Sequence, residues 1–202
     1  MTKEAFKPQR GVIFELLYTS MLIFSYTLGM RNIESARLLQ LMDELYYRPF
    51  ANVVHFTDSD LSLCESLARY CEEKEYTYQL NTPQKSFFET AKPLLQERTP
   101  AAKVFMMPLQ RPKFRMAGKE YEYFILTLDI PQEERISFLR KAHDIIRSHG
   151  KIVIFLPKGD RDLQDAWIAD LEETLFVATS VLDDLFETHD IVLSTKMHGW
   201  GD

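Results

Sequence analysis

Six basic side chains, Arg98, Lys103, Arg111, Lys113, Arg115 and Lys119, fall between residues 98 and 119 with no carboxylate among them. Phe105, Met106, Met107, Phe114 and Met116 are interleaved with them. Guanidinium and ammonium groups neutralise phosphates, and aromatic faces stack on bases, so such a strip suits nucleic acid. It suits an acidic protein surface equally well. A solvated hairpin turning at Ala117–Gly118, whose charges balance carboxylates elsewhere, accounts for the same residues. Arg111, Lys113, Phe114 and Arg115 are the centre of this candidate partner surface. The opposite sign gathers between Asp160 and Asp190, where ten carboxylates face the single Arg161. That asymmetry either steers association or marks a solvated helix face.

Nucleophilic chemistry finds no support. There is no Gly-x-Ser-x-Gly elbow and no phosphate-loop lysine. Cys64 and Cys71 lie seven apart on one predicted helix, two turns from each other, which is too far for a disulfide and reads as a pair of buried thiols. The five histidines are scattered, with no Cys-x-x-Cys or His-x-x-x-His pair, so no metal site is expected.

The chain has 202 residues, 46% of them hydrophobic and 12% aromatic, enough for one full core with an extension. A net charge of −6 fits a cytoplasmic protein and excludes one that coats nucleic acid throughout. The apolar run Val12–Met30 follows Lys3, Lys7 and Arg10, yet it contains Glu15 and several hydroxyl residues and lacks a small-residue cleavage pattern. It reads as a buried or dimer-forming helix, not a membrane span, and makes a homo-oligomer the expected state. His198 and Trp200, in the glycine-flanked tail, either dock on a partner or are loose.

Helical spacing continues from Asn32 to a stop at Pro49. Strands are then expected at 52–57, 76–80, 104–107, 121–128 and 151–156. The intervening helices fall at 59–74, at 83–96 with an interruption or end near Pro93, and at 132–148 with a stop at Gly150. A helix at 163–174 and strands at 176–182 and 190–195 complete the chain. In the turn Phe56-Thr57-Asp58-Ser59-Asp60, Asp58 and Ser59 read as caps of the next helix. Continuous apolar strands separated by helices require a mostly parallel sheet covered on both faces. The last two strands are joined too briefly for a crossover and must be antiparallel. The expected fold is α/β: a seven-stranded, mostly parallel, doubly wound sheet with a C-terminal antiparallel hairpin. Two N-terminal helices precede it, giving a helical extension over 1–50 and a Rossmann-like domain over 51–202.

The stretches "YEYFILTL", "HDIIRSHGKIVIFLP" and "LEETLFVATSVLDDLFETHDIVLSTK" carry a resemblance that extends over residues 50 to 196. In order and pattern this part of the chain resembles the class I methyltransferases that use S-adenosylmethionine. The resemblance implies a donor pocket at the turn after the first strand, normally glycine-rich so that backbone amides can approach the cofactor. This sequence has Phe56, Thr57 and Asp58 there. It has Asn81 where the family has the acidic ribose ligand, and Met107 and Gln110 where the adenine is read. Asp129 and Pro131 partly match the family's acceptor-side motif, although Asp129 also reads as a cap for the helix that starts at Gln132. The departures imply a member without its glycine-rich donor motif, with no cofactor and a binding or scaffolding role. The alternative is an active S-adenosylmethionine-dependent methyltransferase with a rebuilt pocket, and the residues leave open whether the chain is an enzyme.

Overall fold

The computed structural model describes residues 33–45, 48–114 and 120–197. The predicted helix at 12–30, Arg115, and the tail with His198 and Trp200 lie outside them. The strands form where β-branched and aromatic residues run together. β1 (Asn52–Phe56) and β4 (Tyr121–Leu126) are buried on both faces, as central parallel strands must be. β2 (Thr77–Thr82), β3 (Lys103–Met106), β5 (Ile146–Pro157), β6 (Phe176–Leu182) and β7 (His189–Lys196) complete a sheet of order β3-β2-β1-β4-β5-β7-β6. β1 to β5 are parallel, and β7 runs antiparallel to both β5 and β6.

Alternation along each strand divides the core in two. Val53, Tyr78, Leu80, Tyr123, Ile125, Val153 and Phe155 face α1 (Ser35–Glu44), α2 (Leu61–Glu73) and α3 (Lys85–Arg98). Val54, Phe56, Phe124, Leu126, Ile152 and Ile154 face α4 (Gln132–Ile145) and α5 (Arg161–Glu173). Ile33, Leu38, Leu41, Met42 and Leu45 belong to the first of these clusters, so the described part of the N-terminal extension shares a core with the sheet.

Two expectations about element ends are corrected. α3 runs to Arg98 through Pro93 instead of ending there. Pro93 is exposed, so water can solvate the carbonyl that loses its helical partner. α4 stops at Ile145, not at Ser148, and the chain enters β5 at once. Gly150 is therefore a strand residue, not a helix stop. The pairing advances from Tyr121 to Tyr123 on β4 while β5 advances from Ile146 to Lys151, which leaves three extra residues in a bulge. A Cβ on Gly150 would lie 2.7 Å from Ile146 Cγ2, 2.8 Å from Arg147 O and 2.9 Å from Tyr121 O. Gly150→Ala is accordingly expected to cost about 1–3 kcal/mol through overpacking. Urea denaturation at pH 7.5 measures it, and unchanged stability would contradict the packing.

Candidate functional site

The strand order changes direction between β1 and β4: the chain leaves β1 toward β2 and β3, and leaves β4 toward β5. In open α/β sheets the crevice at such a switch, beyond the carboxyl ends of the strands, is where ligands bind. Phe56 and the turn after it stand at this place.

Phe56 is wholly buried. Its ring stacks on Phe124 at 5.0 Å, lies 4.9 Å from Phe114, and meets Phe138 edge-on at 5.5 Å. Met107, also wholly buried, belongs to the same cluster. Phe114 reaches this cluster because the chain after β3 folds over the α4 side of the sheet, held there by Lys141 Nζ donating to Leu109 O and lying over the Phe114 ring. Phe114 is thus a core residue and does not join Arg111 and Lys113, which are exposed.

Past Phe56 several backbone donors find acceptors within the chain. Thr57 N donates to Asn81 O at 3.2 Å, and Ser59 N to Thr57 Oγ1 at 3.3 Å. Thr57 Oγ1 donates in turn to Ser59 O at 2.9 Å. The helix cap is Asp60, not Asp58 or Ser59. It sits in the left-handed region at φ 56°, where Asp is tolerated, and its Oδ1 accepts from Leu63 N at 3.0 Å. Burial pushes the Asp60 carboxyl upward against the opposing backbone donors of Leu63 and Ile33. Asp58, Ser59 and Asp60 line an open cleft of about 510 Å³ with Gln84, Ser86, Phe87 and Thr90.

Asn81 is wholly buried at the end of β2. Its Oδ1 accepts from Gln79 Nε2 at 3.0 Å, and the Tyr121 hydroxyl donates to Gln79 Oε1 at 2.6 Å. Asn81 Nδ2 has no partner among the described residues. Gln110 lies apart from all of these, in a groove of about 730 Å³ along the outer side of α4 that it shares with Arg111 and Arg140. Asp129 is exposed and caps nothing: the N-cap position of α4 is Pro131, and no side chain bonds there. The structure therefore gathers Phe56, Met107 and Phe114, ties Thr57 to Asn81, sets Asp58 at the open cleft beside Gln84, and leaves Gln110 and Asp129 exposed elsewhere. Sequence reasoning missed Phe124 and Phe138 as the rings that enclose Phe56. The apolar period of the 121–128 strand and the 132–148 helix was the signal available for them.

On the other side of the sheet, His55 is wholly buried. Its Nδ1 is 2.9 Å from the Tyr78 hydroxyl and its Nε2 2.8 Å from Thr127 Oγ1, with Cys64 Sγ 3.9 Å from Nδ1. Burial lowers the imidazole to about 3, so it is neutral at physiological pH. Burial also raises both thiols, Cys71 to about 12, and neither is a nucleophile. Both are free and buried, as expected. Among the described residues no cluster of His, Cys, Asp and Glu is placed to hold a metal, and no helix is long and apolar enough to cross a membrane.

No family model matches the sequence, and no curated protein matches it. Solved structures do. An S-adenosylmethionine-dependent O-methyltransferase from Thermotoga maritima superposes with a TM-score of 0.65 at 12% identity, covering 85% of this chain and 69% of that one. A TehB-like S-adenosylmethionine-dependent methyltransferase from Corynebacterium glutamicum gives 0.57 at 12% identity, over 90% of this chain and 97% of its own. A putative methyltransferase from Thermoplasma acidophilum gives 0.58 at 15%, over 75% and 70%. Together with the strand order, the antiparallel hairpin and the helices on both faces, these likenesses establish that the chain has the class I methyltransferase fold.

Proposed function

We propose that this methyltransferase-fold chain does not perform standard methyl transfer and serves as a binding or scaffolding subunit. The observation that carries the reading is the state of the turn after β1. A cofactor held there needs unspent backbone amides and room in front of them. The Thr57, Ser59 and Leu63 amides already have acceptors in the chain. Phe56, Thr57, Asn81 and Met107, the residues at the donor-pocket positions, have no exposed surface with which to touch a ligand. S-adenosylmethionine does not fit these residues as arranged, and no catalytic step is derived through it. The exposed Arg111 and Lys113 remain as the surface for an acidic protein or nucleic-acid partner.

The alternative, an active methyltransferase with a non-standard pocket, draws on one feature: the cleft beside Asp58 and Gln84 is open and lies at the carboxyl ends of β1 and β2. Titration calorimetry with S-adenosylmethionine and with its demethylated product separates the two. The expected outcome is no saturable heat up to about 1 mM of either ligand, an affinity limit near −4 kcal/mol. Saturable binding that is lost on changing Asp58 or Gln84 would replace the first reading by the second.

A further inference from the structure

The amino end of the sheet, opposite the crevice that Phe56 fills, holds a second constellation that is independent of the proposed role. The bulge that opens β5 consists of Arg147-Ser148-His149-Gly150, inserted between the pairs Tyr121–Ile146 and Tyr123–Lys151. His149 is held at φ 67°, a left-handed conformation that costs a non-glycine residue on the order of 1 kcal/mol. Gly150 is packed so closely that no side chain fits. Bulges of this kind re-aim the side chains they carry. Here Arg147, His149 and Lys151 come together with Arg48 around a cavity of about 80 Å³, whose wall also includes Glu122, Tyr123 and Ser148.

The charges in this wall do not cancel. Glu122, nearly buried, accepts from Asn52 N at 2.7 Å and from Arg147 Nη1 at 3.2 Å, so its carboxylate is already satisfied. Lys151 Nζ has a 3.4 Å contact with Thr195 Oγ1, and among the described residues neither it nor Arg48 is ion-paired. Three permanent cations therefore face one carboxylate, an excess of two positive charges. At roughly 30 Å³ per water molecule, the cavity holds the equivalent of two to three waters. A single tetrahedral oxyanion matches that space.

We propose that this basic pocket at the amino end of β4 and β5 binds a phosphate dianion, either free or as the terminal group of a small phosphate monoester. Arg48 and Arg147 supply planar donor pairs for its oxygens, and Lys151 supplies a point charge. The protein's net charge of −6 repels anions at long range, so the local cluster must do the holding. Binding weakens as salt is added.

The test is calorimetry of the full chain in low-salt buffer with inorganic phosphate in one arm and methyl phosphate in the other. One saturable site is expected. Affinity should fall at least about tenfold in the double variant Arg48→Glu, Lys151→Glu, a loss of some 1.4 kcal/mol. The control Arg69→Glu, Lys92→Glu should leave it unchanged. Binding in both arms assigns the site to the monoester group, and binding of inorganic phosphate alone assigns it to the free ion. Backbone amide shifts in the unaltered chain, expected to concentrate at residues 147–151, keep the test valid if the double variant does not fold. Absence of saturable heat at about 20 mM phosphate, roughly the −2 kcal/mol level, overturns the proposal. So does binding that the double variant leaves intact or amide shifts clustered elsewhere.

Discussion

Phe56→Ala is expected to lower the unfolding free energy by about 3–5 kcal/mol, the range for truncating a wholly buried aromatic ring. The loss has two parts. Burial of the ring is removed, and the Phe124, Phe114 and Phe138 rings that lie within 5.5 Å of it are left facing a void. Phe138 sits on α4 and Phe124 on β4, so a collapse that filled the void would have to move a helix against a central strand. Little relaxation is expected, which places the cost toward the upper part of the range. Urea unfolding at pH 7.5 reads the change. The same variant also tests what closes the crevice. If the phenyl ring alone excluded a cofactor, Phe56→Ala would gain measurable heat with S-adenosylmethionine. No gain is expected, because the Thr57 and Ser59 amides stay bonded to Asn81 O and Thr57 Oγ1 whatever residue stands at position 56.

His55 should make the fold sensitive to acid. Its imidazole is lowered from 6.5 to about 3 by burial. A base whose proton affinity is depressed on folding stabilises the folded state fully above its unfolded value, and that contribution is lost as pH falls toward the folded one. The window therefore runs from 6.5 down to about 3 and corresponds to something on the order of 5 kcal/mol in all. About 3 kcal/mol of it should be gone by pH 4. Among the described residues the groups that contact His55 do not offset the charge: Tyr78 and Cys64 are themselves held protonated by burial. In the neutral ring one nitrogen donates and the other accepts across the Tyr78 and Thr127 hydroxyl contacts. A second proton on the ring turns the accepting nitrogen into a donor. Urea unfolding of the native chain and of His55→Gln at pH 7.5, 5.5 and 4 isolates the effect from the carboxylates. The native chain should lose stability more steeply than the variant below pH 6.5; parallel curves would remove His55 as the cause.

The features legible in the amino-acid sequence are those that depend on short-range pattern. The runs at 52–57 and 121–128 are continuous and apolar because both faces of a central parallel strand are covered. The brief link at 183–188 could only join antiparallel neighbours. The misreadings are where distant chain segments decide. Asp58, Ser59 and Asp60 are each acceptable caps by type, and Asp60 takes the role because it adopts the left-handed turn and also receives the Ile33 donor from the far N-terminal side. Phe114 looks like part of a basic surface strip because its neighbours are Lys113 and Arg115. It is buried because the segment after β3 is laid against α4, a contact no local window contains. Asn81 was legible as a weak substitute for an acidic ligand, but its complete burial was not, since that depends on what covers β2.

The bulge in β5 has one more consequence, which concerns how helix and sheet are coupled. α4 passes into β5 between Ile145 and Ile146 with no connecting loop, so the usual slack between a helix and the strand it feeds is missing. Without slack, any displacement of α4 along its axis would drag the strand and exchange the residues that face each side of the sheet. The extra residues before Lys151 take up such a displacement. Val153 stays on one face and Ile154 on the other while the helix settles against its own neighbours, so the two halves of the core can be packed, and can diverge, separately.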